Sequence, residues 1–316
     1  MHCSDKILCL FSALLEDGIA AECGYPLSRL TTMRVGGDAA IAIFPKNARE
    51  AANAVRRCRE NGVEMIFFGA GSNLLAPDDG YSGAVMVTTA MDDGFSVTEY
   101  EDGRFDVTVS AGCSLTVLAR MLMEAELSGG EFLFGIPGTV GGAVAMNAGA
   151  YGGEIKDILV SSTYLELDGD LTSKTRDAAA HEFSYRHSIY LSRPNEMITQ
   201  VYLRLRRGDR EEIHRTMLSL MEQRRAKQPL EYPSAGSFFK RPVGAFAGKL
   251  IEDCGLKGYT VGGAQISEKH AGFVINRGGA TEADIRRLSK EVRRIVYEKT
   301  GYLLECEIRP MTGDPI

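Results

Sequence analysis

The chain has 316 residues, a formal net charge of −6, an apolar fraction of 44% and a charged fraction of 25%. That length suits two or three domains with proper cores. The negative balance argues against a general nucleic-acid surface, and no apolar run is long enough to span a bilayer. The 7 cysteines are odd in number and scattered, without a Cys-x-x-Cys or His-Glu-x-x-His spacing. Neither a disulfide framework nor a metal site is expected. A cytoplasmic protein with reduced thiols is the simplest expectation.

Between Met1 and Ala21, the residues Ile7, Leu10, Phe11 and Leu14 fall on one face of an amphipathic helix. The segment lacks the basic start and small-residue cleavage site of a signal peptide. Residues 34–45 read as a turn followed by a strand. Residues 47–61 form a helix, with Asn47 as its cap, Glu50 at the third helical position and Gly62 as its stop. A short strand over 63–68 runs into Gly69, and further strands cover 84–89 and 105–110. Ser114 caps a helix carrying Leu115, Leu118, Leu122 and Ala125. A glycine-rich stretch over 135–153 reads as loop, followed by strands over 159–167 and 197–205.

The composition shifts near Arg206. A helix over 209–227 ends at Pro229, and a loop-rich block covers 234–276. Thr281 and Asp284 have the spacing of a capping box for a helix over 282–299, which Gly301 ends. A final strand is expected over 302–309. Strands and helices mix without strict βαβ alternation, and no repeat occurs, so the fold class is α+β.

Two glycine-rich loops stand out. The first is Gly69-Ala70-Gly71-Ser72-Asn73-Leu74, directly after a strand. Glycine there lets backbone amides approach phosphate oxygens. A dinucleotide-binding Rossmann unit begins in a similar way, but here Leu74 replaces the third glycine. Pro77 and Asp78-Asp79-Gly80 then stop any following helix. The second loop runs Gly135-Ile136-Pro137-Gly138-Thr139-Val140-Gly141-Gly142-Ala143 and continues through Met146-Asn147-Ala148-Gly149. It reads either as tight turns between packed strands or as a backbone wall against a large planar or pyrophosphate-bearing ligand. The presence of two such loops in one half of the chain favours the wall.

Together with Thr32-Met33-Arg34-Val35-Gly36-Gly37, these loops resemble the FAD-contacting turns of vanillyl-alcohol-oxidase-type flavoproteins. The branch they resemble is the UDP-N-acetylenolpyruvoylglucosamine reductase family. Three more segments carry the likeness: Ser184-Tyr185-Arg186-His187-Ser188, Gly236-Ser237-Phe238-Phe239-Lys240 and Leu304-Glu305-Cys306-Glu307-Ile308-Arg309. It extends from about Thr31 to Arg309. The resemblance implies a FAD-binding domain over 1–206, in two parts of about 1–90 and 91–206. A substrate-binding domain over 207–316 would follow, its last strand returning to the active site. It implies non-covalent FAD, NADPH as co-substrate, and reduction of UDP-N-acetylglucosamine enolpyruvate to UDP-N-acetylmuramate for peptidoglycan. A monomer without nucleic-acid or membrane partners is expected.

The resemblance makes Arg186 and Glu307 the cation and acid at the substrate carboxylate, and Ser237 the proton donor. Electrostatic groups of this kind stabilise charge that develops on the neighbouring carbon. A serine hydroxyl is a weak acid, but an enediolate-like carbon is strongly basic, so a well-placed serine serves. It assigns FAD contacts to Arg34, Gly36, the run from Gly69 to Leu74, Gly135, Ile136, Pro137, Gly138, Thr139, Gly141, Gly142, Ala143 and Asn147. It assigns substrate contacts to Tyr185, Lys227, Phe239, Lys240, Lys249, Gln265 and His270. Arg224, Arg225, Lys227, Lys240, Arg241 and Lys249 read either as a solvated basic face or as partners of a sugar-nucleotide diphosphate. Arg241 stands where the family has asparagine. The short interval from Arg186 to Ser237 implies the subtype that lacks a tyrosine lid. Two rivals remain: a hydroxy-acid or alcohol oxidase of the same fold, and a non-catalytic binder of nucleotide sugars.

Overall fold

Several helices begin where the sequence places a capping side chain. The computed structural model describes residues 4–316. Helix α1, Asp5–Glu16, buries Ile7, Leu10 and Leu14, with Phe11 half-buried. Met1, His2 and Cys3 of the expected helical segment lie outside the described residues. In α2, Ala48–Glu60, the Asn47 side chain accepts the Glu50 amide at 2.9 Å. Gly62 then takes φ 60°, the left-handed conformation that stops a helix. In α3, Leu115–Glu124, the Ser114 hydroxyl accepts the Val117 amide at 3.2 Å.

The chain divides into two compact units. The first takes in the chain up to Cys23, Ile41–Ala70 and Gly83–Gln223; the second takes in Gly24–Ala40, Gly71–Ser82 and Arg224–Ile316. The units do not follow a linear division at residue 206, because two early segments belong with the C-terminal third.

The first unit is built on an antiparallel sheet in the order Ser173–Asp177, Leu159–Glu166, Glu196–Arg207, Arg104–Ser110, Phe95–Glu99. Alternation sets its buried face: Val201, Leu203 and Leu205 are buried, whereas Arg204 and Arg206 are exposed. They join Val107, Val109, Leu118, Leu122 and Leu133 in one core. Each such aliphatic side chain contributes about 1.5–3 kcal/mol when fully buried. A smaller sheet orders Ala20–Pro26, Asp38–Phe44, Tyr81–Val87 and Met65–Phe68, the last two parallel.

A buried polar chain also belongs to the first unit. Ser162 Oγ lies 2.8 Å from His181 Nε2 and 2.7 Å from the Tyr190 hydroxyl, and His181 Nδ1 lies 2.8 Å from the Asp177 carbonyl. A carbonyl only accepts, so these partners assign the proton to Nδ1, and Nε2 accepts from Ser162. Burial holds His181 below the usual imidazole pKa, and the nearby Arg176 cation adds to that. The unfolded chain takes up a proton near pH ~6.5 and the folded chain does not, so stability falls as pH drops through that value. Burial acts on His270 in the same direction. The thermal midpoint is expected to be lower at about pH 5.5 than at about pH 7.5, and His181→Gln should flatten the slope. An unchanged slope in that variant would remove His181 as a cause.

In the second unit, Ser234–Ser237, Phe273–Asn276, Ala264–Ile266 and Thr260–Val261 form an antiparallel sheet. A long C-terminal helix, Glu282–Thr300, contributes Ile285, Leu288, Val292 and Val296 to this unit's core. It opens on the expected capping box of Thr281 and Asp284 and ends at Gly301 with φ 75°. Asp78 caps it as well, accepting the Glu282 amide at 2.7 Å and the Ala283 amide at 3.0 Å.

Three expectations need correction. The 135–153 stretch is not all loop: α4 spans Val140–Ala145, with Thr139 as its cap. Its start has the same local logic as α2 and α3, but three glycines in the neighbourhood mask it. The block over 234–276 holds a helix, Ala247–Asp253, besides its short strands. The C-terminal segment is not one strand over 302–309. It makes an isolated bridge from Cys306 to Phe239, then a two-residue strand, Arg309–Pro310, parallel to Leu74–Leu75. Changing partner between the two interrupts the ladder.

Candidate active site

In the first unit, the strand Met65–Phe68 delivers Gly69 onto the second glycine loop. A Cβ on Gly69 would collide with the Thr139 hydroxyl. The two loops therefore touch at this point, and only glycine permits the approach. Thr139 is buried, and its Oγ1 accepts the Gly142 amide at 3.3 Å. The Gly141 amide donates to the Ala111 carbonyl at 2.9 Å, seating the loop on the sheet. Ala143 points into the core, Ile136 packs partly against it, and Pro137 and Gly142 are exposed. The amides of Ala70, Gly138 and Thr139 have no acceptor among the described residues.

In the second unit, Gly71 takes φ 58°, and a Cβ there would strike the Leu30 carbonyl. The amides of Gly71 and Ser72 also have no acceptor among the described residues, and the Thr32 hydroxyl is buried without a partner. Gly36, at φ 113°, lies against Ala76. Unpaired amides in glycine turns suit the phosphates of a dinucleotide. The residues present fit FAD. The glycines of the first loop also answer to packing, so the alternatives of tight turn and ligand wall describe the same residues.

Arg186 sits in the first unit, in a tight turn closed by pairing of Ser184 with His187. It adopts φ 54°, and its Nη2 donates to the Gly149 carbonyl at 3.2 Å. Its guanidinium lies 5.1 Å from the centroid of the exposed Tyr185 ring. Asn147 departs from its expected place at the cofactor. It is 0% exposed, and its side-chain amide bonds only to protein, including the Ser184 carbonyl at 3.0 Å. That leaves it no surface for a ligand.

In the second unit, Ser237 and Glu307 come together through the backbone. Phe238 and Lys240 pair with Glu307 and Glu305: the Glu307 amide donates to the Phe238 carbonyl at 2.8 Å, and the Lys240 amide to the Glu305 carbonyl at 2.8 Å. Asn73 of the first glycine loop braces this pairing, its Nδ2 donating to the Glu307 carbonyl at 3.1 Å. Ser237 is exposed at the end of its strand, opposite Phe273. Phe239 is buried against Phe238 and offers its ring to the core. Lys240 pairs with Glu305 at 3.1 Å. His270 lies beside this cluster. Its Nδ1 accepts the Gly272 amide at 3.1 Å, and the Gly272 carbonyl accepts the Phe238 amide at 2.8 Å.

The remaining expected contacts are engaged elsewhere. Lys249 is ion-paired with Asp253 on its own helix, and Gln265 Nε2 donates to Thr260 at 2.9 Å. Lys227 is exposed as the last residue of a helix over Arg210–Lys227. Sequence reading missed Asn276. It is buried, its Nδ2 donates to the Met33 carbonyl at 3.1 Å, and its Oδ1 accepts the Gly278 amide at 2.9 Å. It thereby fixes the turn in which the exposed Arg34 holds φ 56°. Its only signal in the sequence was an amide at the end of an apolar strand.

Fold and site define a FAD-dependent oxidoreductase, and residues 39–173 match the family model described as FAD binding domain. Residues 228–311 match the model of the C-terminal domain of UDP-N-acetylenolpyruvoylglucosamine reductase. A curated protein of that name from Lachnoclostridium phytofermentans is 47% identical, covering 91% of each chain. Another from Clostridioides difficile is 40% identical, covering 99% of this chain and 100% of its own. The crystal structure of the Thermus caldophilus reductase superposes with a TM-score of 0.74 at 32% identity, covering 93% of this chain and 99% of that one. The chain belongs to the UDP-N-acetylenolpyruvoylglucosamine reductase family. The expected α+β architecture holds, with a FAD-binding domain followed by the C-terminal domain of the reductase family.

Proposed function

We infer that this protein reduces UDP-N-acetylglucosamine enolpyruvate to UDP-N-acetylmuramate, with NADPH as reductant and FAD as cofactor, in peptidoglycan precursor synthesis. Bound FAD supplies the relay of a hydride from NADPH to the terminal carbon of the enol ether. The protein's own work is to hold the substrate and move a proton. Arg186 and Glu307 bind the substrate carboxylate and stabilise charge as it develops beside it. Ser237 Oγ donates the proton to the carbon bearing the ether oxygen. The observation that carries this reading is the backbone pairing that brings the segments of Ser237 and Glu307 side by side, with 2.8 Å between the Glu307 amide and the Phe238 carbonyl.

The unpaired amides of Ala70, Gly71, Ser72, Gly138 and Thr139 hold the FAD phosphates. Arg34 and Gly36 line the same cofactor. Tyr185, Lys227, Lys240 and His270 contact the substrate. In this reading residues 1–206 form the FAD-binding domain, which also supplies Tyr185 and Arg186 to the substrate, and 207–316 form the substrate-binding domain. The enzyme works as a cytoplasmic monomer of the subtype without a tyrosine lid. No helix among the described residues is long and apolar enough to cross a membrane.

Anaerobic NADPH consumption by the FAD-loaded protein tests the function. Consumption should require the enolpyruvyl sugar. Reduction of the cofactor without sugar-dependent turnover would move the search to another electron acceptor. Acid denaturation should release all the yellow colour, and colour retained on the chain would show a covalent link.

A further inference from the structure

Asn147 is the first residue after α4 and its C-cap Met146, and it takes φ 43°. Its side chain is fully used. Nδ2 donates to Glu154 Oε2 at 3.1 Å and to the Ser184 carbonyl at 3.0 Å, and Oδ1 accepts the Lys156 amide at 3.1 Å. A primary amide has two donors and one strong acceptor, so no capacity is left for a ligand apart from a second lone pair.

What the amide joins matters more than its saturation. One Nδ2 hydrogen bond reaches the hairpin in which Gly149-Ala150 pairs with Gly153-Glu154. The other reaches the first residue of the turn that carries Tyr185 and Arg186. The same hairpin supplies the Gly149 carbonyl that accepts from Arg186 Nη2 at 3.2 Å. Ser188, just past the turn, donates to the Ala145 carbonyl at 2.8 Å. Glu154 is ion-paired with Lys156 at 2.6 Å. The Lys156 and Asn147 hydrogen bonds, with the Arg186 charge, hold its carboxyl below the usual range. Asn147, Tyr151 and Arg186 all adopt positive φ without being glycine. Strain of this kind persists only where surrounding contacts over-determine it.

We propose that Asn147 is a positioning residue for Arg186, locking the Ser184–His187 turn to the Gly149–Glu154 hairpin through its buried side-chain amide. The Arg186 bond to Gly149 and the bond from Asn147 to Ser184 both tie the turn to the hairpin side. The second is independent of Arg186 itself, so it keeps the guanidinium aimed while Arg186 engages a ligand. The inference rests on the reading that Arg186 serves the substrate carboxylate. Small displacements of such a group are costly to rate.

Asn147→Gly is the direct test, because glycine accepts the positive φ while removing the amide. In the intact FAD-loaded protein, oxidation of the reduced cofactor by the enolpyruvyl sugar should slow on the order of 10²-fold, with the change in kcat rather than KM. NADPH-dependent reduction and FAD affinity should stay at the wild-type level. Hydrogen exchange at the Ser184 and His187 amides should quicken on the order of tenfold, the scale of one lost hydrogen bond. The exchange is read equally well on protein stripped of FAD. Asn147→Asp tolerates the same φ and keeps the acceptor for the Lys156 amide but removes the donor to Ser184. It should slow the same half-reaction at least about tenfold, and it decides the matter alone if Asn147→Gly does not fold.

Unchanged oxidation by the sugar in the folded variant would overturn the proposal. So would equal slowing of both half-reactions, or a loss confined to FAD affinity. Wild-type turnover with the enolpyruvyl sugar separates these failures from failure of the functional reading itself.

Discussion

Replacing Ser237 by alanine should slow oxidation of the reduced enzyme by the enolpyruvyl sugar at least ~10²-fold, the usual scale for a positioned general acid. Reduction by NADPH should be nearly intact. The asymmetry follows from where the proton is needed: only the half-reaction that reduces the sugar protonates a carbon. The structure makes the substitution clean. Ser237 is exposed at the end of its strand and its hydroxyl holds no hydrogen bond among the described residues. The backbone pairing of Phe238 with Glu307 does not use the side chain. Alanine therefore removes an acid and little else, and the thermal midpoint should not move. Stopped-flow measurement of the two half-reactions is the check. Equal slowing of both would make Ser237 structural. Arg186→Ala and Glu307→Gln should also damage the sugar half-reaction more than the NADPH half-reaction. Arg186→Ala carries a structural component, because it also deletes the bond to Gly149.

The sequence was most legible where local chemistry decides the structure. The Asn47 and Ser114 caps and the box at Thr281 each occur as the residue spacing predicts, because a cap is a contact between neighbours three residues apart. Legibility failed where the deciding contact is distant. The C-terminal segment has strand-like composition throughout, yet Cys306 pairs with Phe239 whereas Arg309 pairs with Leu74, more than two hundred positions away. No local pattern encodes that change of partner. The family motifs single out Ser237, Glu307 and Arg186 as candidates, but not what braces them. Asn73, Asn147 and Asn276 each hold a carbonyl remote in sequence, and an asparagine in a loop looks like any turn residue until that carbonyl is known. Glycine gave the opposite difficulty. Gly69 and Gly71 suggest phosphate, and the structure shows each pressed against protein as well.

Gly69→Ala should weaken FAD retention about tenfold or more without altering any cofactor-facing side chain. Overpacking a close contact costs about 1–3 kcal/mol, and ~1.4 kcal/mol is a factor of ten in affinity. The added methyl would meet Thr139 Oγ1 first, with the Thr139 Cβ and methyl group next at 3.2 Å. Relief requires the first glycine loop to lift from the second, which moves the unpaired amides of Ala70, Gly138 and Thr139 apart. A double-mutant cycle isolates this contact. Thr139→Ala alone loses the cap of α4, worth about 1 kcal/mol. Added to Gly69→Ala it also removes the closest clashing atoms, so the double variant should bind FAD more tightly than the two single losses predict. Strict additivity would mean that the collision is absorbed elsewhere, and the contact between Gly69 and Thr139 would then not set the cofactor cradle. The readout is the FAD dissociation constant from flavin fluorescence, with the thermal midpoint of the FAD-free protein measured beside it. A fall in affinity with little change in that midpoint would separate distortion of the loops from general loss of the fold.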